Sequence, residues 1–164
     1  MFRAIVKISG VLYLALLFYI FFLARRRPKP SFEWGGHHSL HLVPFYDKFK
    51  SFRHFFRYGL KSQVNLLADV FGNVVLFIPL AFILVIVFHV NNLRKVVLIC
   101  FIISFAIEAS QYFLRIGTAD IDDLITNTVG AIIGVTLIRW MQKTSIPFIK
   151  RFSYEIGLRG LSPQ

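Results

Sequence analysis

The sequence predicts an all-α polytopic membrane protein, with four transmembrane helices and an amphipathic interfacial helix in the first loop. Of its 164 residues, 56% are hydrophobic and 19 are phenylalanine. Only 16% are charged, which is too few to cover the apolar surface of a soluble fold of this size. Four stretches are each apolar over roughly the 20 residues that a helix needs to cross a bilayer.

The first apolar stretch, residues 5–23, is expected to be an uncleaved membrane anchor. Arg3 and Lys7 lie at its start, and three consecutive arginines follow it at 25–27. No small-x-small cleavage site precedes those arginines, which argues against a cleaved signal peptide. Residues 1–24 are therefore assigned to the first transmembrane anchor.

Residues 25–69 are expected to form a basic loop that contains the interfacial helix. Phe45, Phe49, Phe52 and Phe56 recur at helical spacing, and lysine, arginine and histidine residues occupy the other faces. This pattern is typical of a helix lying in the membrane interface. It is also typical of a helix packed on the spans, and both interpretations can hold together.

The other three transmembrane helices are predicted at residues 70–90, 96–114 and 124–141. With their connections they form a three-helix core over residues 70–141. A short basic tail follows over residues 142–164, and part of it is expected to be disordered.

Three residues predict how these helices pack. Pro79 lies in the middle of the second span, where its missing N–H is expected to kink the helix. Gly130 and Gly134 form a G-x-x-x-G pair in the fourth span. That spacing permits close approach of a neighbouring helix.

Four of the eight acidic residues, called the acid cluster below, fall within 16 positions around the third connection: Glu108, Asp120, Asp122 and Asp123. A carboxylate inside a bilayer is costly, so such a group is by default a functional-site hypothesis. The search for function therefore begins at this connection.

Helical spacing gathers further polar side chains around the acid cluster. The connection between the third and fourth spans is short, so the two helices are expected to be antiparallel neighbours with facing polar sides. Asn73 on the second span is expected to add a polar side chain from a third helix. We predict a polar pocket lined by eight residues: Asn73, Glu108, Gln111, Arg115, Asp120, Asp122, Asp123 and Asn127.

Two interpretations of the acids stay open. In the structural one, the aspartates cap the fourth helix and compensate its dipole, and Glu108 is paired and ties helices together. In the functional one, the acids bind a ligand or exchange protons, with Glu108, Asp120 and Asp123 as candidate catalytic groups. No full metal-ligand set and no nucleotide-binding or serine-hydrolase motif is present, so no metal site is predicted and no cofactor is assigned.

The formal net charge of +11 does not indicate nucleic acid as a partner. The basic residues flank the apolar segments instead of forming one contiguous arm. Lysine and arginine beside membrane spans are expected from topology and from attraction to anionic lipids, so membrane lipid is the predicted partner. With both termini in the cytoplasm, the acid cluster would face the other side of the membrane.

The order and spacing of three blocks resemble the VanZ-like family of bacterial membrane proteins. The resemblance spans about residues 40–140 and includes Glu108-x-x-Gln111, Asp120-Ile121-Asp122-Asp123, Asn127, Gly130 and Gly134, Asn73-x-x-x-Phe77-x-Pro79-Leu80, and Leu42-Val43-Pro44-Phe45. Three positions depart from the family pattern. They are His41 where asparagine is frequent, Ala81 where glycine is frequent, and Gly117 where many members carry arginine.

The resemblance implies a multi-pass protein of the cell membrane, typically of Gram-positive bacteria. The family's namesake is linked to low-level resistance to the glycopeptide teicoplanin, so a role in antibiotic tolerance at the cell envelope is the leading expectation. The expected ligands of the pocket are a lipid-linked cell-wall precursor or the glycopeptide itself. Two alternatives are kept: an enzyme acting on an envelope lipid or peptidoglycan precursor, and a structural partner of another membrane protein. Oligomerisation is compatible with all three.

Overall fold

The structure is a computed structural model that describes residues 2–24, 40–41, 43–45, 59–114 and 119–156. Five α-helices lie in these ranges: α1 (Phe2–Phe18), α2 (Gly59–Ile86), α3 (Leu93–Phe113), α4 (Ile121–Lys143) and α5 (Pro147–Glu155). α1 continues as a π-helix over Tyr19–Ala24. Two short strands, β1 (Leu40–His41) and β2 (Ala119–Asp120), pair in parallel.

The predicted all-α polytopic architecture is confirmed. Within the described part of the chain, four helices are long and apolar enough to cross a membrane: Ala4–Leu23, Leu67–Ile86, Leu93–Phe113 and Ile121–Lys143. Many of their large apolar side chains are exposed. Outward apolar surface is expected where helices face lipid.

The connection between the second and third spans differs in detail from the prediction. α2 ends at Ile86 and not at Val90, because His89 adopts a left-handed conformation with φ of 55°. A residue in that conformation is a common helix terminator. α3 starts at Leu93 because the Asn92 side chain accepts hydrogen bonds from two backbone N–H groups of the first turn.

The interfacial helix predicted in the first loop falls almost wholly outside the described residues. Phe45, the first aromatic of its repeat, is described and lies in a turn. In the tail, where only a basic segment was predicted, residues 147–155 form α5.

The closest helix contact in the described core joins α2 and α4. A Cβ built on Gly130 would lie 2.3 Å from the Val74 carbonyl oxygen, and one built on Gly134 would lie 2.8 Å from the Ala81 Cβ. Because Val74 meets Gly130 and Ala81 meets Gly134, α2 and α4 run parallel. α4 also packs along α3.

α1 lies antiparallel to α2. Gly10, near the start of α1, faces Val87 near the end of α2, with 3.1 Å between a built Cβ and the Val87 Cγ2. Towards the other end, the rings of Phe21 and Phe77 meet edge to face with centroids 6.3 Å apart. The end of α1, the start of α2, the end of α3 and the start of α4 therefore share one membrane face, which we call the cluster face.

α2 runs through Pro79 without interruption. Proline has no N–H, so the carbonyl of Val75 cannot accept the usual helical bond. Beside it, the Tyr13 hydroxyl donates a hydrogen bond to the Leu76 carbonyl. A hydrogen bond between α1 and α2 is thus made in the turn of α2 where Pro79 removes a backbone hydrogen bond.

Candidate functional site

The acid cluster is organised around the start of α4. Asp120 is the N-cap residue, and its Oδ1 accepts a hydrogen bond from the Asp122 N–H at 2.8 Å. Asp122 and Asp123 follow in the first turn, where negative charge is favoured by the helix dipole. The capping interpretation therefore applies to Asp120.

Glu108 ties the end of α3 to the start of α4. Its Oε2 accepts a hydrogen bond from the Asp120 N–H at 2.9 Å, and the residue is only 6% exposed. A carboxylate bonded to a backbone N–H is a strong, charge-assisted contact. Glu108 thus fixes the N-cap residue from across the connection.

A segment of the first loop crosses the acid cluster. β1 pairs with β2 in the register Leu40 with Ala119 and His41 with Asp120. Farther along, the Phe45 N–H donates to Asp122 Oδ1 at 2.6 Å. We call this segment, residues 40–41 and 43–45, the strap.

The strap holds Phe45 in an unfavourable backbone conformation. Its φ is 57°, in the left-handed region that bulky side chains rarely occupy. Such a conformation persists where surrounding contacts enforce it, and it is most frequent at functional sites. Here the Phe45 N–H makes a short hydrogen bond to Asp122, which is itself only 3% exposed.

Gln111 joins α1 to the cluster face. Its Nε2 donates to the backbone carbonyl of Phe21 at 3.0 Å, and the side chain is 5% exposed. Phe21 lies in the π-helical end of α1, and carbonyls at helix ends need partners from elsewhere. The amide predicted to line the pocket therefore also anchors the first span.

A layer of buried polar side chains lies deeper in the membrane than the acids. Asn127 Nδ2 donates to Ser104 Oγ at 2.9 Å, and both residues are fully buried. Asn127 is seven residues into α4 from Asp120, which places it about 10 Å further inside at 1.5 Å per residue. Its Oδ1 accepts no hydrogen bond from the residues that the structure describes.

Two further residues belong to this polar layer. Asn73 is fully buried on α2, next to the Val74 contact with Gly130, and so lies at a depth similar to that of Asn127. Thr126 donates from its Oγ1 to the Asp122 carbonyl at 2.8 Å. The polar side chains therefore continue from the membrane surface into the helix core.

The cluster face concentrates negative charge. Asp69, half-buried on α2 one turn before Asn73, joins the four members of the acid cluster there. Five of the six acidic residues that the structure describes thus lie on this face. In the described ranges, no group of three or more His, Cys, Asp and Glu side chains is arranged to hold a metal ion.

The structure brings most of the predicted pocket residues to one face. Glu108, Asp120 and Asp122 are joined through backbone hydrogen bonds, and Asp123 is half-buried beside them. Arg115 lies outside the described residues. Two contributions were missed by sequence reasoning: the strap and Thr126. The Val43-Pro44-Phe45 block was a usable signal for the strap, since it resembles the family pattern without an assigned role.

Comparisons with known proteins agree with the resemblance seen in the sequence. The family model described as VanZ/LLP1 matches residues 10–142. Protein VanZ of Enterococcus faecium is 33% identical over 69 residues, which cover 42% of this chain and 43% of that protein. The chain thus aligns with less than half the length of that relative. No solved structure matches the chain.

Proposed function

This chain belongs to the VanZ/LLP1 family, and we propose that it acts in the bacterial cell envelope by lowering susceptibility to teicoplanin. The acid cluster would serve as the binding site for this role. The family's link to glycopeptide resistance motivates the proposal, and the geometry of the cluster face supports the choice of site.

One observation carries the proposal: buried carboxylates are held rigidly at one membrane face by backbone hydrogen bonds. Glu108 holds Asp120, and Asp122 holds the strap. A ligand site needs its contact groups fixed by neighbouring groups in this manner. Burying that many acids at a membrane surface has an energetic cost that a ligand role would explain.

Asp123 is better placed to meet a ligand than Glu108 or Asp122, and Asp120, which is also half-buried, is engaged as the N-cap of α4. Asp123 is half-buried, whereas Glu108 and Asp122 are nearly fully buried. A carboxylate accepts hydrogen bonds from ammonium, amide and hydroxyl groups. A lipid-linked cell-wall precursor, a lipid headgroup and a glycopeptide all carry such donors near the membrane surface.

The enzymatic alternative receives less support. A general acid or base must reach the proton that it transfers. Glu108 is bonded to the Asp120 N–H on one oxygen and is only 6% exposed. This arrangement favours Glu108 as a positioning residue, with the exposed part of the cluster making the contacts.

Expression of this protein in a susceptible host lacking it is expected to raise the teicoplanin concentration that stops growth several-fold. An antibiotic with an intracellular target should be unaffected. An unrelated four-span membrane protein expressed to the same level is the control for non-specific effects of expression. An unchanged teicoplanin threshold at full membrane abundance would contradict the proposal.

A further inference from the structure

We propose that α5 and the basic side chains around it bind anionic lipid headgroups at the membrane face opposite the acid cluster. The acid cluster lies at the start of α4, and α5 follows the end of α4 after three residues. At 1.5 Å per residue, the 23 residues of α4 cover about 35 Å. That length spans the hydrocarbon core, so α5 begins at the other surface. This inference stands independently of the proposed function.

α5 has the pattern of a helix that lies in the membrane surface. Its nine residues are too few to cross a bilayer. At 100° per residue, Phe148, Ile149, Phe152 and Ile156 fall within one 100° arc. Lys150 lies on the opposite side, and Arg151 and Glu155 lie along the edge next to Phe148. A helix of this kind buries its apolar side at the boundary of headgroups and acyl chains.

Only part of that apolar side is covered by the protein. Ile156 is 8% exposed and belongs to the same buried cluster as Ile138 of α4. Phe148 and Phe152 are 79% and 42% exposed. α5 therefore packs on α4 through Ile156, at one edge of its apolar side. Phe148 and Phe152 on the same side remain exposed.

The position of α5 and the exposed aromatic residues near it indicate that Phe148 and Phe152 face the bilayer surface. Trp140, three residues before the end of α4, is 51% exposed, and Tyr154 on α5 is 72% exposed. Exposed tryptophan and tyrosine near the end of a span are typical of the headgroup level. α5 begins three residues after α4 and therefore lies at the headgroup level. Phe148 and Phe152 can then contact lipid without a protein partner.

The charges on this face determine the class of lipid. Exposed basic side chains come from the start of α1, the start of α3, the end of α4 and α5 itself: Lys7, Arg94, Lys95, Arg139, Lys143, Lys150 and Arg151. The acid described on this face is Glu155, which is paired with Arg151 at 3.1 Å. Clustered lysines and arginines beside an amphipathic helix attract anionic headgroups.

Spin labels on the full-length protein test the seating of α5. Phe148→Cys and Tyr154→Cys are made separately in a Cys100→Ala background, labelled, and reconstituted into vesicles of phosphatidylcholine with phosphatidylglycerol. A label at 148 should be reached more by lipid-soluble oxygen, and a label at 154 more by a water-soluble nickel chelate. Equal access at both positions, or protection of 148 from both reagents by a protein neighbour, would overturn the proposal.

Lipid selection tests the charge requirement. Wild-type protein extracted from mixed bilayers should retain phosphatidylglycerol over phosphatidylcholine, as measured by mass spectrometry of the bound lipids. Lys150→Gln combined with Arg151→Gln should reduce this enrichment several-fold, whereas the matched control Glu155→Gln should preserve or increase it. An enrichment that is absent in the wild type, or unchanged in the double variant, would overturn the assignment.

Discussion

Gly130→Leu is expected to remove most of the folded protein from the membrane. A Cβ at this position would lie 2.3 Å from the Val74 carbonyl oxygen and 3.0 Å from the Phe77 Cβ. Since one of these atoms belongs to the backbone of α2, the whole helix must shift to make room. Overpacking typically costs about 1–3 kcal/mol, and a larger side chain against backbone falls at or above that range.

Gly72 provides the matched control for this substitution. It is also a helical glycine, on α2, but a Cβ built on it meets nothing within 4 Å. Gly72→Leu is therefore expected to leave stability unchanged or to raise it, since glycine inside a helix costs roughly 0.5–1 kcal/mol. Membrane abundance and thermal unfolding in detergent distinguish the two variants. Equal stability for Gly130→Leu and Gly72→Leu would show that α2 and α4 are not in close contact.

Asp122→Ala is expected to release the strap from the acid cluster. The substitution removes the acceptor of the Phe45 N–H, which donates to Asp122 Oδ1 at 2.6 Å. A hydrogen bond to a charged group contributes about 1.5–3 kcal/mol. The left-handed conformation of Phe45 then loses this compensating contact, and the parallel pairing of β1 with β2 is expected to weaken with it.

Hydrogen exchange at the Phe45 amide measures this release. The expected increase in exchange rate is roughly 10- to 100-fold, from the same range of hydrogen-bond energies. Asp122→Asn keeps an oxygen acceptor of similar shape and should increase exchange much less. Unchanged exchange in Asp122→Ala would mean that the strap is held by other contacts.

The membrane spans were predictable because length and apolar composition report them directly. Their ends were less predictable, since they depend on single residues. Apolar residues continue to Val90, but His89 turns the chain after Ile86. Asn92 caps α3, which begins at Leu93, three residues before the predicted start at residue 96.

The sequence predicted that the four acids of the cluster lie together, but it did not predict which contact each carboxylate makes. Spacing along one helix puts acids on a shared side, but it does not say which backbone N–H each carboxylate meets. The bond from Phe45 to Asp122 joins residues 77 positions apart, so no local pattern encodes it. Gln111 was assigned to the pocket by spacing, and its partner on α1 comes from the packing of a different span.

The central claim is that the negative charge of the acid cluster is required for protection against teicoplanin. The teicoplanin susceptibility of cells that express neutral variants tests it most directly. Asp123→Asn and Glu108→Gln each remove a negative charge and keep the shape and an oxygen acceptor, so strap and N-cap should remain in place. Glu155→Gln on the opposite face is the control. At matched membrane levels, Asp123→Asn is predicted to lose the protection that wild type and Glu155→Gln give, whereas Glu108→Gln, which keeps an acceptor for the Asp120 N–H, should retain most of it. Full protection by Asp123→Asn would contradict the account and leave the acids with a structural role alone.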